Sequence, residues 1–337
     1  MSKKILKVVL VLIIVASIAV FLYNTDLQAT KQELHTIGGK FFYLLGITFL
    51  AYIFGTLSWY ACLGEGRKKI GILQLFAVRQ VGETVGQFNP TSVVGGDLYK
   101  AELLKPYGIG KELALQSVAT SRITIVLSQI LLLLFACGWL LGTDAATNLP
   151  PSMKWGAYGI VGVLMGIKLS FLYWLMFSKK NPAPAAEHPS SLFGRLRYQL
   201  QKLLADIRTA YRQSPKQFWL SYLLAAIHWI IGSLEFYLIL IFLGFSVTPL
   251  HGLLLDMGVI IFKSAGAFVP GQLGVEEFGN KMMLQLIGIA AGSVWISASI
   301  LRRSRQLSWL IIGFILYLFL RKNTQAKSAF SNGNIIC

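Results

Sequence analysis

The sequence is poor in charge, in histidine and in cysteine, and each shortage closes off a class of function. Charged residues are 13% of the 337-residue chain, where a soluble domain carries about 25%. Apolar side chains fill 55% of it and the mean hydropathy is +0.62, which excludes a water-soluble globular fold. The three cysteines, Cys62, Cys137 and Cys337, are too scattered for a disulfide framework or a thiol motif. The four histidines, His35, His188, His228 and His251, are equally dispersed, and no HExxH, CxxC or GxSxG string occurs. Neither a metal site nor an activated nucleophile is expected, and no cofactor. A Walker A string is missing as well, so ATP-driven work would need a partner.

What the chain does have is long apolar runs. Ile5–Tyr23, Phe41–Leu63, Leu113–Leu141, Trp155–Phe177, Phe218–Phe245 and Trp295–Leu320 each approach the roughly 20 residues that cross a hydrocarbon core. They predict an all-α polytopic membrane protein with six full transmembrane helices. Lys3, Lys4 and Lys7 precede or open the first run and no small-residue cleavage site follows it, so it reads as an anchor rather than a signal peptide.

The net charge of +17 is explained by its placement. With a cytoplasmic N-terminus, alternating the six spans puts seventeen lysines and arginines on one side and only Lys31, Lys40 and Lys154 on the other. The positive-inside rule then orients the chain with both termini cytoplasmic and removes nucleic acid as a partner.

The chain reads as one integral membrane domain. Residues 1–40 form an anchor helix and outer loop, 41–141 a first repeat, and 142–217 a connecting span with a basic cytoplasmic loop. Residues 218–322 form a second repeat and 323–337 a tail. Within the loop, Asn181–Ser191 carries Pro182, Pro184 and Pro189 and is a linker. After it, Phe193, Leu196, Leu200, Leu203, Leu204, Ile207 and Tyr211 recur at helical spacing, with Arg195, Arg197, Lys202, Arg208 and Arg212 between them. This is a basic amphipathic helix, either a reader of anionic lipid or a connector lying on the membrane.

The repeat rests on two segments that look unsuited to a membrane. GETVGQFNPTSVVGGD, Gly82–Asp97, combines four glycines, a proline and two carboxylates between apolar runs. ETVGQFNP, Glu83–Pro90, aligns with KSAGAFVP, Lys263–Pro270, matching Thr84 to Ser264, Gly86 to Gly266, Phe88 to Phe268 and Pro90 to Pro270. One deletion later, Gly95-Gly96-Asp97 lies over Gly274-Val275-Glu276; further on, Gly108-Ile109 lies over Gly288-Ile289, each glycine fourteen residues before Arg122 or Arg302. A register that long is the mark of an internal repeat. The alternating spans make Ile70–Gly110 enter and leave from the cytoplasmic side and Thr248–Ala291 from the far side, so the repeats are inverted and each contains a re-entrant broken helix. Irregular backbone at membrane depth needs a protein or water-filled surround, and its free helix ends attract anions, phosphate above all.

Ionisable residues gather around the same breaks. Arg79, Glu83, Asp97, Lys100 and Arg122 belong to the first repeat, and Asp256, Lys263, Glu276, Glu277, Lys281, Arg302, Arg303 and Arg305 to the second. Charge at such depth marks function by default. Arg122 and Arg302 suit bidentate phosphate contact, or equally a lock onto Asp97 and Glu276. Glu83 and Lys263, at matching positions, are expected as a structural or coupling pair. His228 and Glu235, seven residues apart on one helix face, are expected as a polar pair.

GQFNPTSVVGGDLYKAELL followed by SVATSR, and GAFVPGQLGVEEFGNKMMLQLIGI followed by SASILRR, resemble the two signature regions of the lysylphosphatidylglycerol synthase transmembrane family, also called flippase-like. The resemblance covers nearly the whole chain. It implies two re-entrant regions and a role in moving lipids or lipid-linked intermediates between leaflets. The matching head-group residues are Asn89, Pro90, Gly95, Asp97 and Arg122, then Pro270, Gly274, Glu276, Glu277 and Arg302. Anionic phospholipids, hopanoid-type or polyprenyl-linked lipids, and lipid-biosynthesis enzymes are the implied partners. Full-length synthases of the family add a soluble transferase domain; this sequence runs only about 17 residues past its last apolar run, so the expectation is a translocase rather than an aminoacyl-transferring enzyme. The alternatives are a membrane transferase with Asp97, Glu276 or Glu277 as general base, and a non-transporting scaffold.

Overall fold

A computed structural model describes residues 35, 37–88, 92–142, 151–178, 192–266, 272 and 274–333. The run Ile5–Tyr23, Asn89, Pro90, Pro270 and the linker Asn181–Ser191 lie outside the described residues. Ten helices and no strand occur among them: α1 (Phe41–Cys62), α2 (Ile72–Phe88), α3 (Ser92–Leu103), α4 (Lys111–Leu141), α5 (Pro151–Phe177), α6 (Leu192–Gln213), α7 (Pro215–Phe242), α8 (Pro249–Ala265), α9 (Val275–Leu286) and α10 (Gly292–Gly333).

Four of the six apolar runs fall in described segments long and apolar enough to cross a membrane, Gly38–Cys62, Lys111–Leu141, Lys154–Phe177 and Pro215–Phe242. The run Trp295–Leu320 lies inside the 42-residue α10, whose early turns bury Arg302, Arg303 and Arg305. Those arginines interrupt the run as a uniform hydrophobic stretch.

The helices present apolar side chains to their surroundings as well as to one another. Large apolar side chains such as Phe42 and Tyr43 on α1, Phe135 on α4, Trp155 and Tyr173 on α5, and Phe314 and Phe319 on α10 face outward, as a lipid surround requires. The interior carries charge and hydroxyls. Between α1, α4 and α7, Ser221 Oγ lies 2.9 Å from Ser58 Oγ and 2.8 Å from Thr124 Oγ1, and Trp59 Nε1 donates to Ser117 Oγ at 3.2 Å. Small hydroxyl residues let these helices approach closely and satisfy one another's polar atoms where water is excluded.

The segments read as broken are two pairs of short helices, with 17 residues in α2 and 12 in α3, and again 17 in α8 and 12 in α9. Within each pair the helices pack on one another; α2 also packs on α10, while α8 packs on α4 and α7. The glycines therefore serve less to break the chain than to bring helices together. A Cβ on Gly96 of α3 would stand 2.7 Å from the Gly82 carbonyl oxygen and 3.0 Å from Gly86 Cα of α2. Both pairs are followed by a glycine in the left-handed region, Gly108 at φ 72° and Gly288 at φ 84°, a conformation glycine adopts without strain.

The predicted amphipathic helix is α6. Ile207 is fully buried in a cluster with Leu127, Leu175 and Phe218, and Tyr211 meets Phe218 edge-on at 5.2 Å. Arg208 departs from the expected basic face: it is fully buried, with its guanidinium 5.4 Å from the Trp174 ring centre.

Candidate functional site: a charged central cavity

The two short pairs and the helices around them enclose a cavity of about 480 Å³. Its wall takes Arg79 and Glu83 from α2, Lys100 from α3, Arg122 from α4, Glu235 from α7, Asp256 and Lys263 from α8, Glu276 from α9, and Arg302 and Arg305 from α10. That is six cations against four carboxylates, from both halves of the chain. Such a concentration of charge between apolar helices persists because most of it is paired.

In the first half the pairs form a chain. Lys100 Nζ donates to Glu83 Oε1 at 2.6 Å and to Asp97 Oδ1 at 3.0 Å. Arg122 then donates to both oxygens of the same Asp97 carboxylate, Nε to Oδ2 at 2.9 Å and Nη2 to Oδ1 at 2.7 Å. This fork geometry is the strongest kind of charged hydrogen bond. The Arg122 side chain keeps 31% of its exposure.

In the second half one arginine serves three acids. Arg302 donates from Nε to Glu276 Oε1 at 3.1 Å and from both terminal nitrogens to Asp256 Oδ1 at 3.1 Å. Glu235 Oε2 stands 3.7 Å from its Nη1, and its carbon centre lies 4.2 Å from the Phe236 ring centre. Arg305 Nε donates to Glu235 Oε1 at 2.5 Å, Gln306 Nε2 to Glu276 Oε2 at 2.8 Å, and Lys263 Nζ stands 3.3 Å from the same Oε2. Arg303 donates to Glu277 Oε1 at 2.6 Å. Only 5% of the Arg302 side chain is exposed.

Six of the nine described residues expected at the site are brought together: Glu83, Arg122, Lys263, Glu276 and Arg302 line the cavity, and Asp97 lines a small adjoining pocket with Arg79, Glu83, Lys100 and Arg122. Glu277 lies one residue on from Glu276 and holds Arg303. Gly95 sits inside α3, and Gly274 is the N-cap of α9 at φ 76°.

Two expected pairs are not formed. Glu83 takes Lys100 and Lys263 takes Glu276, because each finds an opposite charge within its own half. His228 and Glu235 do not bond each other either: His228 Nδ1 lies 2.7 Å from the Ala51 carbonyl oxygen, while Glu235 is held by Arg305 and Arg302. The N-terminus of α9 also differs from an open anion site, since its first turn carries Glu276 and Glu277, which themselves answer the helix dipole.

Sequence reasoning passed over Tyr52 and Gln306. Tyr52 is one of three tyrosines in the apolar run of α1, yet its ring lies 5.2 Å from the Arg79 guanidinium and its hydroxyl 3.5 Å from Arg305 Nη1. A tyrosine on the helix face that also bears Thr48 and Thr56 is the signal that could have found it. Among the described residues, no group of three or more His, Cys, Asp or Glu side chains could hold a metal ion; the three acids around Arg302 converge on a guanidinium instead.

An apolar exterior, apolar helices of spanning length and an ion-paired interior cavity define a polytopic α-helical membrane protein. The chain belongs to the family described as the lysylphosphatidylglycerol synthase TM region, which matches residues 5–321. No curated protein and no solved structure matches it.

Proposed function

We propose that the protein moves a lipid or lipid-linked intermediate between leaflets, with the anionic part of its head group in the central cavity. The carrying observation is the composition of that cavity: charged side chains from both short-helix pairs, with cations in excess, at the meeting point of the two halves. An anion there meets guanidinium and ammonium groups in a setting of low dielectric, where such contacts are strong.

The two halves act as inverted repeats whose short pairs are re-entrant. Support comes from the matched helix lengths, from the glycine turns at Gly108 and Gly288, and from reciprocal packing in which each half's longer short helix leans on a long helix of the other half. Repeats arranged so can rock about a fixed site to open it to either side. The excess of basic residues at the termini and in the α6 loop supports a cytoplasmic location for those regions in a bacterial cell. Asp97, Glu276 and Glu277 are each hydrogen-bonded to an arginine, so oxygens a general base would need are already engaged, which favours binding over general-base chemistry.

The test is leaflet transfer of labelled phosphatidylglycerol, phosphatidylcholine and a polyprenyl phosphate in proteoliposomes. Native protein should transfer an anionic lipid. Ser264→Trp, which places a large side chain on an exposed cavity-lining position, should slow transfer at least tenfold while the protein stays folded. No transfer of any lipid by folded native protein would refute the reading.

A further inference from the structure

We propose that Arg79 is the residue that binds the anionic oxygens of a phosphate or phosphodiester in the cavity, while Arg122 and Arg302 hold the scaffold; this rests on the head-group reading above. The two arginines singled out by the repeat are already spent on carboxylates, Arg122 in a two-bonded fork to Asp97 and Arg302 among Glu235, Asp256 and Glu276. Arg79 is different. It is 6% exposed and lines the cavity, its Nη1 is buried without a hydrogen-bond partner, and no carboxylate among the described residues lies within 4 Å of it.

The guanidinium has no described carboxylate in direct contact: Glu83, one helical turn along α2, feels its charge but bonds Lys100 instead. The guanidinium carbon lies 5.2 Å from the Tyr52 ring centre, an arrangement that steadies a cation without cancelling its charge. On the other side stands Gly55, where an added Cβ would come 2.8 Å from Nη2. In the register that matches Glu83 to Lys263 and Arg122 to Arg302, Gly55 corresponds to Glu235 and Arg79 to Val259. The second half thus has an acid where the first has a glycine making room for an arginine. A buried unpaired guanidinium is costly unless something negative arrives, and a phosphate group offers the oxygens that its planar fork fits.

The experiment is calorimetric titration of the detergent-purified full chain with dihexanoyl phosphatidylglycerol, with dihexanoylglycerol, which lacks phosphate, and with inorganic phosphate. Arg79→Gln, Arg79→Lys and Arg302→Gln are compared with native protein, and each variant's melting temperature is recorded. The expected result is native binding of the phosphatidylglycerol but not of dihexanoylglycerol. Arg79→Gln should weaken it about tenfold or more, the usual worth of a charged hydrogen bond, with an unchanged or higher melting temperature; Arg79→Lys should recover part of the affinity.

Equal binding by native protein and Arg79→Gln would overturn the assignment of Arg79 and leave the head-group reading standing. A melting temperature that falls with Arg79→Gln as far as with Arg302→Gln would overturn it too, by making Arg79 structural. Arg79-dependent binding of inorganic phosphate alone would support the anion site and assign its source to free phosphate rather than lipid. Failure of native protein to bind either phosphate compound would overturn both this proposal and the reading beneath it.

Discussion

The two halves build the same device with different degrees of closure. Each sets an acid from its 12-residue helix against an arginine on the following long helix, Asp97 against Arg122 and Glu276 against Arg302. In the second half two further acids, Glu235 and Asp256, converge on that arginine, and its side chain is 5% exposed; in the first, Arg122 has Asp97 alone within pairing distance and keeps 31%. The first half meanwhile retains Arg79 with no described carboxylate within 4 Å. The comparison suggests a division of labour in which the second half is a neutralised, locked frame and the first keeps charge available for a ligand.

The largest expected effect separates the two arginines. Arg302→Gln leaves Asp256 without its cation and takes one from Glu235 and Glu276, and should cost about 3–5 kcal/mol of stability, read from thermal unfolding in detergent. A smaller loss than Arg122→Gln gives would break the comparison. Next in size is Gly96→Ala, whose new methyl group meets α2 backbone at 2.7 Å and should cost about 1–3 kcal/mol by forcing α2 and α3 apart. Arg122→Gln should cost about 1–2 kcal/mol, because Asp97 retains Lys100 and the site is partly exposed. Lys263→Gln should cost under about 1 kcal/mol: its one ion pair is 3.3 Å long, and Glu276 keeps Arg302.

Much of this was legible in the sequence because bilayer physics leaves a coarse mark. Apolar runs long enough to span gave α1, α4, α5 and α7, and hydrophobic spacing gave α6. The acid and arginine partners were legible as well, through the register that placed Asp97 over Glu276 and Arg122 over Arg302. The partner of each charge was harder to read. Glu83 and Lys263 occupy equivalent positions, yet each is nearer to an opposite charge on its own pair, and that proximity is set by helix crossing rather than spacing. Heptad spacing likewise suggested a bond between His228 and Glu235, whereas helix α1 offers the Ala51 carbonyl and α10 offers Arg305. The glycines of Gly82–Asp97 read as breaks, but Gly82, Gly86 and Gly96 lie inside helices, where their service is close packing. Arg302, Arg303 and Arg305 show the same limit: an apolar run does not reveal that its first turns point at buried acids.

The central claim is that two halves of opposite orientation meet at the cavity, and side-specific labelling tests it most directly. In a background with its cysteines replaced by serine, Lys105→Cys after the first short pair and Ser246→Cys before the second, both at exposed positions, would be treated with a membrane-impermeant maleimide in vesicles of each orientation. Labelling of Lys105→Cys from the cytoplasmic side and of Ser246→Cys from the opposite side is the predicted result. Labelling of both from one side would contradict the inverted arrangement and the alternating access built on it.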